Sequence, residues 1–121
     1  MIFHIALYTF RKGVGDAEID RFSKALTAHT NMAGLAHWYD GGHHLPLPAD
    51  EAVRDSVYDF AAVWIFPSID KLDQFSKHPA IVDFEIDYAR PMVDKLAIAN
   101  FAGITGIDRT LTNVFPVEER E

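Results

Sequence analysis

Histidine is the side chain whose unperturbed pKa, about 6.5, lets it give and take protons near neutrality, and this chain holds six of them. His4 lies in an apolar run, Ile2 to Phe10, whose residues fall into two alternating sets: Ile2, His4, Ala6, Tyr8, Phe10 and Phe3, Ile5, Leu7, Thr9. A strand puts each set on its own face, so His4 and Tyr8 share one. His4 is the leading candidate for a catalytic acid or base, and Tyr8 for a hydroxyl that binds a substrate oxygen. The plainer reading is a hydrogen-bonded histidine and a space-filling tyrosine in an apolar core. His78 precedes Pro79 between two helical segments, where its ring is expected to bond free backbone groups. His37, Asp40, His43 and His44 form the one cluster with metal-ligand character, offering the nitrogen and oxygen donors that zinc and other transition metals accept. Their spacing matches no established site. No metal or other cofactor is therefore assigned, and the alternative is a solvent-exposed loop that helps to close a pocket.

Composition removes other chemistries. The chain has no cysteine, which excludes disulfides, thiolate nucleophiles and Cys-based zinc sites. Its 121 residues make one domain, large enough for a hydrophobic core without staples, and 49% hydrophobic with 24% charged residues is globular. Eleven basic against 18 acidic residues leave a net charge of −7, and no basic cluster stands out, so nucleic acid is not an expected partner. MIFHIALYTF lacks a basic opening and a small-residue cleavage site and reads as a strand rather than a signal peptide. No apolar run approaches the roughly 20 residues that span a bilayer. A soluble cytoplasmic protein with no membrane partner is expected.

The elements that must position these residues follow in order. Asp16 is the expected N-cap of an amphipathic helix over Ala17 to Asn31, with Ile19, Phe22 and Leu26 on its apolar face and Gly34 as its exit. Leu35 to Tyr39 is a short strand ending at Asp40-Gly41-Gly42. A proline-containing excursion, with a helical turn in ADEAVRD, leads to Tyr58. The next strand, to Phe66, has apolar residues on both faces: Tyr58, Phe60, Ala62, Trp64, Phe66 and Ala61, Val63, Ile65. Ser68 caps a helix carrying Ile69, Leu72 and Phe75. His78-Pro79 opens another segment, interrupted at Arg90-Pro91, and Lys95 to Phe101 is the last strand. The order is β-α-β, long loop, β-α-β, with no evident repeat between the halves. This is an α+β, ferredoxin-like arrangement: a four-stranded antiparallel sheet with helices on one face. Its other face is apolar, more than a monomer normally exposes, and predicts a homodimer closed through that open sheet face. Residues 1–104 form the domain, and residues 105–121 a C-terminal arm or partly disordered tail.

One stretch resembles something specific. YDFAAVWIFPSIDKLDQFSKHPAIVDF, together with HIALYTF and the acidic amphipathic helix, is similar to the Dabb domain, the stress-responsive A/B barrel family of dimeric α+β barrels. The usual motif is His-Pro-Ala-His, and its final histidine is Ile81 here. In a plant polyketide cyclase of this family that histidine is the general base, assisted by a tyrosine six positions earlier, which is Phe75 here. Neither side chain carries a proton, so that mechanism does not transfer. The resemblance implies a ligand pocket between helices and sheet lined by His4, Ala6, Tyr8, Phe22, Leu26, Ala62, Phe75, Phe84, Leu96 and Ile98, with His78 and Ile81 at the motif itself. The same residues also suit a filled core. The expected function is a homodimer binding a small, mostly apolar molecule, with cofactor-independent acid–base catalysis of cyclase, isomerase or lyase type by His4 and Tyr8. The alternatives are a non-catalytic stress-associated structural protein and a cofactor-free monooxygenase like those of related dimeric barrels.

Overall fold

The computed structural model describes residues 1–103, and the expected arm over 105–121 lies outside them. Four strands form one antiparallel sheet: β1 (Ile2–Phe10), β2 (Trp38–His43), β3 (Phe60–Phe66) and β4 (Val93–Ala102), in the spatial order β2-β3-β1-β4. Helices α1 (Asp16–Ala33), α2 (Ile69–Lys77) and α3 (Pro79–Phe84) follow the first and third strands. The ferredoxin-like α+β architecture expected from the element order is the one observed.

Register decides which side chains meet. His4 stands opposite Trp64 on β3 and Asn100 on β4, Ala6 opposite Ala62 and Ile98, and Tyr8 opposite Phe60 and Leu96. Opposed residues share a face, so the even positions of β1 and the aromatic set of β3 lie together under the helices. There Ala6, Tyr8, Phe10, Phe60, Ala62, Trp64 and Phe66 join Phe22, Leu26, Phe75 and Phe84 in one core. Phe22 is fully buried and meets four rings edge-on or tilted, those of Tyr8, Phe10, Phe60 and Phe84, with centroids 4.9 to 5.7 Å away. The buried indole of Trp64 donates from Nε1 to Thr30 Oγ1 at 3.1 Å, which explains a threonine in the apolar stripe of α1. Phe3, Ile5, Leu7, Ala61, Val63 and Ile65 occupy the opposite face, which none of α1, α2 and α3 covers, although the 3-10 helix Pro48–Ser56 comes near it at Leu7 and Ala61.

Several boundaries differ from the sequence reading. Gly15, not Asp16, caps α1: its backbone N–H donates to Glu18 Oε1 at 2.7 Å, so the glutamate supplies the cap from the first turn. Strand β2 begins at Trp38 and runs through Gly41 and Gly42 to His43, because the ladder to β3 holds the glycines that local propensity marks as a turn. Helical structure continues past Phe84 through a π-type turn, Glu85–Ala89, and a final turn, Arg90–Met92. The wider turn lies just ahead of Pro91, where a regular helix would press the proline ring on the carbonyl four residues back. β4 accordingly starts at Val93. β3 begins at Phe60 rather than Tyr58, while two end signals hold: Ser68 Oγ accepts from Lys71 N at 3.2 Å, and Gly34, at φ 67°, ends α1.

Gly41 has a specific reason to lack a side chain. A Cβ there would stand 2.6 Å from the Tyr39 hydroxyl and 3.0 Å from the Phe60 ring. The Tyr39 hydroxyl is itself buried without a hydrogen-bond partner among the described residues. Gly41→Ala is expected to cost about 1–3 kcal/mol by overpacking. Tyr39→Phe, which removes the nearer obstacle and an unsatisfied hydroxyl, should recover part of that loss in a denaturation double-mutant cycle. Purely additive effects would show that the two side chains do not compete for this space.

Candidate functional site

The even face of β1 carries a gap in its own pattern: between His4 and Tyr8 stands Ala6, and its cross-strand partner Ala62 is equally small. Bulky side chains on either side of two alanines leave space above them. A cavity of about 70 Å³ lies there. β1 contributes His4, Ala6 and Tyr8 to its wall, and β4 contributes Leu96 and Ile98. Leu26, Phe75, Ile81 and Phe84 roof it from the helices. Nine of the candidates from the sequence thus surround one space. Leu96 and Ile98 remain 47% and 54% exposed, because the helices cover the sheet from β2 to β1 and stop short of β4.

His4 and Tyr8 share this cavity but not one end of it. Four residues of strand separate them, about 13 Å at roughly 3.3 Å per residue. Their backbone positions are thus spaced along one wall of the cavity.

At the His4 end the ring is oriented on two sides. Nδ1 donates to Asn100 Oδ1, and the ring lies 5.0 Å from that of Trp64. With Nδ1 carrying the proton, neutral imidazole keeps a lone pair on Nε2, the form a general base requires. Asn100 is the orienting partner that sequence reasoning missed. Its signal was present, since Asn100 continues the alternation of Leu96 and Ile98, but its pairing with His4 depends on a contact 96 residues away.

At the Tyr8 end the environment is different. Burial pushes the phenol's pKa well above its ordinary value, and the charges of Tyr39 and Glu85 add to the shift. Tyr8 therefore stays a neutral hydroxyl, able to donate or accept a hydrogen bond but not to act as a base near neutral pH. Glu85 enters the wall from the π-type turn. The same turn brings Ala89 to the cavity, and Glu85 and Ala89 stand at helical spacing, i+4 and i+8, from Ile81 in the same wall. Tyr8, Glu85, Ala89 and Leu96 also line a larger, more open space of about 580 Å³, with Arg11, Arg90, Val93 and Asp94 around it. This is the mouth of the cavity.

The remaining candidates lie elsewhere. Phe22 and Ala62 sit in the packed core behind the wall. His78 caps α3, its Nδ1 accepting from Ala80 N at 3.0 Å, in keeping with the backbone role expected for it. His37, Asp40, His43 and His44 do not converge: no group of three or more such ligands occurs among the described residues. His44 instead pairs with Asp50 at 3.0 Å, and His43 meets the Phe60 ring edge-on. No helix of the described residues is long and apolar enough to cross a membrane.

Comparison with known proteins agrees with this architecture. A family model described as the stress responsive A/B barrel domain matches residues 2–102. No curated protein gives a significant match. Among solved structures, one from Arabidopsis thaliana superposes with a TM-score of 0.75 at 18% identity, covering 87% of this chain and 97% of its own. A hydroxynitrile lyase from Passiflora edulis gives 0.74 at 20% identity, covering 88% and 96%. A dimeric ferredoxin-like protein from Thermobifida fusca gives 0.71 at 25% identity, covering 84% and 89%. With the model matching nearly the whole described fold, the chain belongs to the stress-responsive A/B barrel domain family.

Proposed function

We propose that this protein is a homodimer that binds a small, mostly apolar molecule between helices and sheet and performs cofactor-independent acid–base chemistry on it, of the cyclase, isomerase or lyase type. The observation that carries this reading is His4: an imidazole on the cavity wall, its Nδ1 bonded to Asn100, with Nε2 left as a base. Nε2 removes a proton from the bound molecule and returns it as the conjugate acid, while the neutral hydroxyl of Tyr8 holds a polar group at the other end. The similar structure that is a hydroxynitrile lyase supports the lyase branch. The apolar open face and the dimeric similar structure support the assembly.

Cleavage of an aromatic hydroxynitrile to aldehyde and cyanide, followed by absorbance, tests the lyase branch directly, and proton exchange at the acidic C–H of small ketones tests the others. His4→Ala is expected to lower kcat/KM by about 10²–10⁴-fold, the usual contribution of a positioned acid or base, without loss of fold. Asn100→Ala should lower it about tenfold by freeing the ring. Full turnover in His4→Ala would remove His4 from the mechanism.

A second reading rests on the inner cavity's small size, about 70 Å³. A space so nearly filled by rings also suits a non-catalytic structural protein. Absence of any turnover together with a native mass spectrum free of small-molecule adducts would favour it.

A further inference from the structure

The mouth of the cavity carries two guanidinium groups. Arg11 follows β1 and Arg90 lies in the last helical turn before β4, and both line the space that opens beside Tyr8. Arg11 Nη2 donates to the Arg90 carbonyl at 3.1 Å, and Arg11 N donates to the Met92 carbonyl at 2.8 Å. The first of these groups is therefore held in place from both its backbone and its side chain, with four of its five N–H donors still free. Neither guanidinium is ion-paired among the described residues. Both stand together at the entrance to a cavity in a chain of net charge −7.

We propose that this mouth binds the carboxylate of an amphipathic organic acid, whose apolar body extends past Tyr8 over Ala6 and Ile98 toward His4. The inference rests on the reading of the inner cavity as a ligand site and names the class of ligand. A planar carboxylate takes two parallel N–H bonds from a guanidinium, which a hydroxyl or ester does not match. Glu85 and Asp94 also line the mouth, so its formal charge is zero and selectivity for a carboxylate rests on the guanidinium forks rather than on net charge. The strand spacing adds a geometric condition. The carboxylate lies at the Tyr8 end and the base at the His4 end, residues whose backbones are about 13 Å apart along β1.

Hexanoate and 1-hexanol, matched in chain length, are the probes, titrated into isotope-labelled protein and followed by NMR shifts of the cavity residues. Hexanoate is expected to bind about tenfold more tightly than 1-hexanol, and to weaken as salt is raised while 1-hexanol does not. Arg90→Gln keeps the backbone carbonyl that anchors Arg11 and should abolish most of this preference without altering 1-hexanol binding. Arg11→Lys, which keeps the charge and loses the fork, should weaken hexanoate by a smaller factor. Equal affinities for the two probes, or unchanged hexanoate binding in Arg90→Gln, would overturn the carboxylate site and leave the apolar cavity standing. Binding of neither probe would overturn both.

Discussion

Val63→Lys is expected to convert the protein into a folded monomer. Val63 lies in the middle of β3 on the face away from the helices, between Ile5 of β1 and Asp40 of β2. Lysine is the informative charge here because Asp40 stands directly opposite and gives the new ammonium a partner within the same sheet, so folding of the single chain is little affected. If this face meets its copy, however, the twofold axis places two added charges in one apolar interface. At about 3 kcal/mol for each partly compensated charge, the dimer loses roughly 6 kcal/mol, which weakens association about 10⁴-fold. Sedimentation or light scattering at micromolar concentration reads this as a halved mass. Ile69→Lys is the control, since Ile69 is 69% exposed on α2 and away from the open face. A Val63→Lys dimer of undiminished affinity would place the interface elsewhere.

The second large effect is on the fold itself. Phe22→Ala removes a ring with no exposed surface from the middle of the aromatic cluster. Its four ring neighbours come from β1, β3 and α3, so the vacated volume is bounded by three elements that cannot all move inward together. Such truncations cost about 3–5 kcal/mol, and for a domain of this size that lowers the melting temperature by roughly 15–30 °C. Calorimetry at fixed protein concentration checks it, because melting of the proposed dimer depends on concentration. A loss below about 1 kcal/mol would mean that the helices are held to the sheet by contacts other than this cluster.

Both expectations separate what could be read along the chain from what could not. The period-two alternation of Ile2 to Phe10 and of Tyr58 to Phe66, the Ser68 cap, the Gly34 exit and the Pro79 helix start are consequences of local stereochemistry, and a local reading recovers them. From these the element order follows, and from the order the sheet topology. The place of His4, Ala6 and Tyr8 on one face follows in the same way, since it needs only strand geometry.

The sites depended on more. β3 has two apolar faces, and no residue within it says which one the helices cover. The tertiary structure puts Phe60, Trp64 and Phe66 inward, where rings fill the depth between sheet and helices, and leaves Ala61, Val63 and Ile65 to form a flatter outer face. The turn propensity of Gly41-Gly42 is outweighed by the ladder to β3 and by two aromatic side chains that need the space a Cβ would take. Glu85 and Ala89 continue the helical face of Ile81 beyond Phe84, and only the packing of that face against β1 and β4 brings them to the cavity wall. Asn100 meets His4, and Arg11 meets Arg90, across contacts 96 and 79 residues apart in the chain. The sequence by itself determined the fold and which residues of β1 share a face, because both arise from short-range periodicity. Only the tertiary structure decided which histidine has an orienting partner and where two arginines open the cavity, because strand pairing and packing set those distances and no local pattern encodes them.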